Sequence, residues 1–207
     1  MPCKLQAYKE EYQILDNYND GCGRLAGLVG LFPEEFLHFG FIQRESFYTL
    51  IHDPSKLNSA AVRTPENEID FFAGSFYLQT ALCPDVASIR KGNLAVMECF
   101  QMRWSDGTRQ NYNLLYRLFT QLYAVYPFIG RAHFYHAGSA VNIMVAMLRK
   151  VLPEPLKSSL HTGRMFEDRL DQTFLVPDVE TATQRVLGEM KKVLRRRYDN
   201  EKAFSLD

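Results

Sequence analysis

The sequence has no excess of either charge, and this absence excludes a class of partner. Lys plus Arg and Asp plus Glu both number 24 among the 207 residues, so the formal net charge is zero. A chain without a broad positive field is not drawn to the phosphate backbone of nucleic acid. We therefore expect no nucleic-acid partner.

Cysteine is scarce and scattered. The four cysteines, Cys3, Cys22, Cys83 and Cys99, form no C-x-x-C pair and have no histidines at the spacing of a zinc site. Small secreted folds that depend on disulfides carry many more. We expect no metal, no disulfide framework, and reduced thiols in the cytoplasm.

Long apolar runs are also missing. Gly, His or Arg interrupts every apolar stretch before the roughly 20 residues that a membrane-spanning helix requires. The first residues, which include Pro2, Lys4 and Lys9, lack the apolar core of a signal peptide. We expect a cytoplasmic protein whose contact with membranes is peripheral.

What the sequence does contain is apolar residues, at 46% of the chain, enough for a substantial core. We expect one domain over residues 1–207, with a polar lead-in at 1–23 and a C-terminal helix in 178–207 that packs on the domain. The apolar run at 25–32 predicts a buried strand. Pro33, followed by two glutamates, predicts a helix over 33–51, and Pro65 opens another that extends to Pro84.

The second half of the chain alternates strands and helices. The patterns predict strands at 94–104 and 131–137 and helices at 110–126 and 140–152, with Ser139 as the N-cap of the last of these. Strand, helix, strand, helix implies right-handed crossovers. The expected fold class is therefore α/β, with a mostly parallel sheet flanked by helices.

Several local patterns then occur in a familiar order. They are Asp20-x-x-Gly23-Arg24, an acid-bearing strand at 94–104, Tyr126-Pro127, the run from His133 to Gly138, and the run from Pro155 to Gly163 that includes Leu160-His161-Thr162-Gly163. Over residues 20–175 the chain resembles the CRAL-TRIO lipid-binding domain family, most firmly at 126–163. The resemblance implies an apolar pocket on one face of the sheet, closed by a helical gate at 165–176. It also implies binding of phospholipids, phosphoinositides or isoprenoid-like lipids, for transfer or sensing.

The predicted ligand-binding residues follow from this interpretation. Alternation along strand 94–104 places Glu98, Phe100 and Met102 on one face. The predicted set is Glu98, Phe100, Met102, Phe134, His136, Phe166 and Phe174. Each buried methylene contributes about 0.8 kcal/mol, so an apolar lining supplies affinity. Two alternatives stay open: the apolar residues are plain core, and Glu98 pairs with a buried Arg or Lys.

The C-terminal helix, predicted at 178–198, carries an apolar stripe that includes Val179, Ala182, Val186, Met190, Val193 and Leu194. A basic cluster follows near its end: Lys191, Lys192, Arg195, Arg196 and Arg197. These cations either meet anionic membrane headgroups or complement the negative end of the helix dipole.

Enzyme chemistry finds little support, and we expect no catalytic residue and no cofactor. A hydrolase elbow needs Gly two positions before and after the serine, whereas Ala137 and Val141 flank Ser139. Gly21, Gly23, Gly27 and Gly30 lack the spacing of a phosphate-binding loop. Two alternatives to lipid binding remain. One is a CRAL-TRIO-like domain that lacks the pocket and serves as a protein-interaction module, with an exposed aromatic segment at 32–48, and the other is an α/β serine hydrolase.

Overall fold

The structure, a computed structural model, describes residues 4–32, 40–44, 47–52, 59–82, 93–98, 113–114, 116–123, 129–135, 138–152, 154, 156–162 and 179–204. Its helices are α1 (Lys4–Glu11), α2 (Tyr18–Leu31), α3 (Pro65–Leu82), α4 (Ser139–Val151), α5 (Leu156–Ser159) and α6 (Val179–Phe204). A 3-10 turn spans Ser59–Val62, and a π-helical turn spans Leu118–Tyr123. The strands are β1 (Gly40–Arg44), β2 (Phe47–His52), β3 (Asn93–Glu98), β4 (Ile129–Tyr135) and β5 (Leu160–Thr162).

The main described core is made by helices packing on helices. Its side chains come from α1, α2, α3, α6, the turns at 59–62 and 118–123, and short segments next to these elements. The buried residues are Tyr8, Tyr12, Ile14, Leu25, Leu28, Val29, Phe32, Val62, Phe71, Phe72, Ala73, Phe76, Tyr77, Leu78, Ala81, Leu114, Leu118, Leu122, Met190, Val193, Leu194 and Tyr198. In α4 and β5, Val141, Val145, Leu148 and Leu160 are buried outside this cluster.

Glycines let α2 and α3 approach closely. A Cβ atom added at Gly74 of α3 would lie 2.5 Å from the Leu28 Cβ and 2.8 Å from the backbone oxygen of Arg24, both in α2. A Cβ at Gly27 of α2 would lie 2.7 Å from the carboxylate of Asp70. At Gly74 one of the close atoms belongs to the backbone, so the spacing of the two helices depends on this glycine. At Gly27 a methyl group would instead displace the Asp70 carboxylate, which pairs with Arg24.

Aromatic side chains attach α1 to α3. The ring of Tyr12 stacks on the ring of Phe72 with 4.6 Å between centroids. The Tyr8 hydroxyl donates a 2.9 Å hydrogen bond to the backbone oxygen of Phe72. The residues that the sequence suggested as a polar lead-in therefore supply buried side chains to the core, because their tyrosines combine an apolar ring with a hydroxyl that finds a partner.

The strand backbones pair into a 5-stranded sheet in the order β1-β2-β3-β4-β5. Strands β1 and β2 are antiparallel, with Phe41 opposite Leu50. The remaining pairs are parallel, and His133 of β4 lies in register with Val96 of β3 and His161 of β5. For β1 to β4 the structure describes backbone pairing, whereas the packed side chains described above come mainly from helices.

The predicted fold class, an α/β domain with a mostly parallel sheet flanked by helices, is corrected by this packing. Among the residues whose side chains the structure describes, 85% are helical and Leu160–Thr162 is the one strand. The four strands that pair with it in the sheet, β1 to β4, are described by their backbones alone. The described part is that of a mostly helical protein. The physical reason is that apolar side chains at helical spacing, such as Leu25, Leu28 and Val29, pack on another helix and not on a sheet.

Three local predictions are also wrong. The predicted strand at 25–32 lies almost entirely in helix α2, and the predicted helix at 33–51 contains β1 and most of β2. Ser139 is the first residue of α4, and the N-cap is Gly138, which makes no side-chain capping hydrogen bond. The prediction placed the cap at Ser139 because serine is a more common N-cap than glycine. In the structure the extended backbone of Gly138 occupies that position instead.

Candidate functional site on the C-terminal helix

Helix α6 is fixed to the helical core by one side. Met190 and Leu194 are fully buried, Val193 and Tyr198 are nearly so, and the helix contacts both α2 and α3. The Tyr198 hydroxyl donates a 2.8 Å hydrogen bond to Asp16 in the loop between α1 and α2. Three members of the predicted apolar stripe, Met190, Val193 and Leu194, are thus core residues. The side chains of Val179, Ala182 and Val186 lie outside the described set.

The opposite side of α6 is basic and exposed. Lys191, Lys192, Arg195 and Arg196 are all exposed, and we refer to these four residues as the basic face. Arg197, the fifth member of the predicted cluster, is half-buried. Lys191 and Lys192 precede the buried pair Val193 and Leu194, and Arg195 and Arg196 follow it. The docking of α6 on the core therefore determines the direction in which these four cations point.

Two contacts order parts of the basic face. The Arg195 guanidinium lies 3.7 Å from the centre of the Tyr18 ring, a cation–π contact that connects α6 to α2. The Lys192 Nζ lies 2.7 Å from the Glu189 Oε1 one turn earlier. The Lys192 side chain is still 72% exposed. Among the described residues, Lys191 and Arg196 have no ion-pair partner, so their charge is directed at solvent.

The Tyr18 ring beneath Arg195 stays neutral at physiological pH. A hydrogen bond with Cys22, together with burial, raises the pKa of Tyr18, against the opposing effect of Arg195. Cys22 itself is a half-buried free thiol. A neutral phenol offers Arg195 a ring face without neutralising the guanidinium, so the full positive charge is retained at the surface.

The charge balance of this segment is positive. From Glu189 to Asp199 the helix carries five basic residues and two acidic ones. A solvated patch of this kind attracts anions by its summed field, and its flexible lysines and arginines adapt to phosphate groups of varied spacing. The arrangement is suited to binding an anionic surface.

The predicted ligand-binding residues fall elsewhere. Glu98 ends β3 and Phe134 lies in β4, and for both the structure describes the backbone only. Phe100, Met102, His136, Phe166 and Phe174 lie outside the described residues, as does the proposed gate at 165–176. These predictions therefore stay predictions.

The sequence reasoning missed a polar cluster where the loop after α1 meets α2, α3 and α6. Tyr77 donates a 2.6 Å hydrogen bond to the Asp20 Oδ2, which also accepts from the backbone N–H of Leu15 at 3.0 Å. Asp16 accepts from Tyr198 and pairs with Lys9 at 2.5 Å. The available signal was Asn17, three residues before Asp20: Asn17 is the N-cap of α2 and accepts from the Asp20 backbone N–H at 3.0 Å.

This polar cluster is structural in character. The second carboxylate oxygen of Asp20 lies 3.4 Å from the Arg24 Nε, and the Nη1 of the same guanidinium lies 2.9 Å from Asp70. Burial, followed by the hydrogen bond to Asp20, raises the pKa of Tyr77 well above its ordinary value. Both oxygens of Asp16 and both oxygens of Asp20 have partners within the cluster, as expected of carboxylates that hold neighbouring elements together.

A second polar junction, half-buried, involves Arg117, which lies just before the π-helical turn. Its guanidinium pairs with Glu68 at 2.5 Å and lies 4.8 Å from the centre of the Phe72 ring. Burial opposes the charge of Arg117, but the hydrogen bond and charge of Glu68 prevail and raise its pKa. Tyr12 donates to Gln121 in the same place at 2.9 Å. Every charged group named here has a partner, so this junction also acts in packing.

Two classes of site are not found among the residues that the structure describes. The described residues contain no group of three His, Cys, Asp or Glu side chains placed to hold a metal ion. Within the same ranges, no helix has both the length and the apolar character needed to cross a membrane. No protein-family model matches the chain, and no curated protein matches it either. Assignment of a function therefore depends on the chemistry of the surfaces.

Proposed function

We propose that the protein is a peripheral lipid-binding protein that reaches anionic membranes through the basic face of α6. The observation that supports this best is the exposure of Lys191, Lys192, Arg195 and Arg196 on one side of a helix whose other side is buried. A cation close to an anionic lipid surface contributes about 1 kcal/mol. Four such cations on one rigid element act together.

The neutral net charge of the whole chain strengthens this interpretation. With 24 basic and 24 acidic residues, the molecule has no general attraction to anions, so binding must come from a local patch. A local patch orients the molecule on the surface that it meets. Orientation is what a protein needs in order to take a lipid from a bilayer or to deliver one.

The experiment is cosedimentation with phosphatidylcholine vesicles that either contain or lack phosphatidylserine. We expect binding only when phosphatidylserine is present, and weaker binding at high salt, because the Debye length falls from about 10 Å at 0.1 M to about 3 Å at 1 M. The triple variant Lys191→Gln, Lys192→Gln, Arg196→Gln should bind up to about 100-fold more weakly. Arg195 is kept because it packs on Tyr18.

A matched control removes the same charge elsewhere. The control is the triple variant Lys4→Gln, Arg63→Gln, Lys157→Gln, which changes three exposed cations. Lys4 lies in α1, Arg63 lies in the segment before α3, and Lys157 lies in α5. It should bind nearly as well as the wild type. Equal losses in the two variants would show that total charge, and not the basic face, is responsible, and absence of wild-type binding would refute the proposal.

The second part of the proposal is the lipid itself. The resemblance to the CRAL-TRIO family supports a hydrophobic small molecule or phospholipid as cargo, with transfer or sensing as the task. We expect organic extraction of the purified protein, followed by mass spectrometry, to yield a lipid above the background of a control protein purified in parallel. An empty extract, together with no uptake of a fluorescent lipid, would favour a protein-interaction module instead.

A further inference from the structure

Helix α4 carries an exposed apolar stripe that nothing above explains. Ile143, Met147 and Val151 are 47%, 49% and 48% exposed, and we call these three residues the α4 stripe. Their spacing of four residues aligns them along one face of the helix. On the other side of α4, Val141, Val145 and Leu148 are each 1% exposed. The helix is therefore apolar on two sides, and only one of them is packed, whereas a helix at a protein surface usually presents a polar outer face.

The charges within α4 have one sign. The helix contains Arg149 and Lys150 and no acidic residue. Glu154, three residues after Val151, lies 3.9 Å from the ammonium group of Lys157, which offsets its charge. Arg149 is occupied, because it donates a hydrogen bond to the backbone oxygen of Leu160 in β5. Lys150 is exposed and lies three residues after Met147, on the same side of the helix as the stripe. The surface is thus a narrow apolar band with a cation at its edge.

We infer that the α4 stripe inserts into the boundary between headgroups and acyl chains of an anionic bilayer, with Lys150 at the level of the headgroups. This inference rests on the proposed function and adds an apolar contact to the electrostatic one. A helix that lies in the membrane interface buries its apolar face among acyl chains while its cations meet anionic lipids. The long stem of a lysine lets the ammonium group reach the headgroups from an apolar position.

A bilayer fits this surface better than a second copy of the chain. Stable protein interfaces bury roughly 800 Å² on each partner. Three half-exposed side chains on one helix offer much less than that. A bilayer needs no shape complementarity, and the positive sign of Lys150 matches an anionic lipid surface.

The test separates apolar from electrostatic binding by salt. Cosedimentation with vesicles of phosphatidylcholine and phosphatidylserine is measured at low and at high salt, where exposed charges are screened. We expect the wild type to keep residual binding at high salt. The variant Ile143→Gln, Met147→Gln, Val151→Gln should lose about 10-fold or more of this residual affinity. Ala146→Gln, an exposed substitution on the same helix outside the stripe, should lose none.

Insertion is measured directly by fluorescence. In Met147→Trp, lipids brominated on the acyl chains should quench the added tryptophan, after subtraction of the wild-type signal from Trp104, and in Ala146→Trp they should quench it much less. This measurement decides the question if the triple variant does not fold, as judged by circular dichroism. Equal quenching at the two positions would overturn the inference.

Two other results would also overturn it. If light scattering shows a wild-type dimer that the triple variant converts to a monomer, a second copy covers the stripe. If the triple variant binds vesicles like the wild type at high salt, the stripe does not insert. Failure of the proposed function is distinct: the wild type would then not bind phosphatidylserine vesicles at low salt, and the substitutions in α6 would have no effect.

Discussion

Gly74 in α3 and Gly23 in α2 differ in how closely other atoms approach them. Gly74, in the interior of α3, faces the backbone of α2 so closely that a Cβ would lie 2.8 Å from the Arg24 oxygen. Gly23, in the interior of α2, is exposed and has no atom within 4 Å of the position that its Cβ would take. A backbone atom cannot rotate away as a side chain does. Packing therefore requires the first glycine and only tolerates the second.

We predict opposite effects for alanine at these two positions. Gly74→Ala should lower the free energy of unfolding by about 1–3 kcal/mol, because α2 and α3 must separate to admit the methyl group. Gly23→Ala should raise it by about 0.5–1 kcal/mol, because alanine loses less backbone entropy in a helix. Urea unfolding of both variants is the measurement. A Gly74→Ala protein as stable as the wild type would mean that the close approach of α2 and α3 is not required.

At the scale of the elements, boundaries were predictable where local signals were strong. The predicted helix at 65–84 corresponds to α3, which begins at Pro65 with two acids in its first turn. The predicted helix at 140–152 corresponds to α4, displaced by one residue. A proline at the end of the first predicted helix, a proline directly after the second, and good helix formers within both determine these elements locally. No distant contact is needed to recognise them.

Helix α2 was missed because its glycines were interpreted as a turn. The run Tyr18-Asn19-Asp20-Gly21-Cys22-Gly23 looks like a loop when local propensity is considered alone. In the structure Gly21 is buried, and a Cβ there would lie 2.8 Å from the Tyr77 ring of α3. Close packing of α2 on α3 accounts for Gly21, and a single sequence does not reveal that contact.

The segment after α2 has a composition typical of strands, and this composition outweighs the helix start suggested by Pro33. Strands β1 and β2 contain Phe41, Ile42, Tyr48, Thr49 and Ile51, and aromatic and β-branched residues are enriched in strands. The helix-start pattern Pro33-Glu34-Glu35 indicates a helix, whereas this composition indicates strands.

Of the candidate site, the cations of α6 are visible in the sequence as a charge run. Their outward direction depends on contacts such as Tyr198 with Asp16, which are 182 positions apart and not predictable locally.

At the scale of the whole molecule, the buried phenols connect stability to pH. Burial, with a contribution from Glu11, raises the pKa of Tyr12 to about 12. Burial and Asp20 raise that of Tyr77 further. Above pH 10, the ordinary pKa of tyrosine, the unfolded chain loses these protons while the folded chain keeps them. The folded state then binds more protons, so the free energy of unfolding falls as the pH rises, and the contribution is fully present below about pH 10.

We predict a loss of stability of at most about 1.4 kcal/mol per pH unit for each of these two tyrosines above pH 10. For Tyr12 the loss is complete near pH 12, its folded-state pKa. Tyr77→Phe should be less stable than the wild type at about pH 8, by about 1–2 kcal/mol, because Asp20 loses a hydrogen bond. Its stability should then fall less steeply with pH, since one titrating group is gone.

The control is Phe76→Leu, which removes buried apolar contacts without removing a titrating group and should keep the wild-type slope. Urea unfolding between about pH 8 and pH 11 measures both quantities, and a Tyr77→Phe protein with the wild-type slope would show that this phenol titrates alike in the folded and unfolded chain.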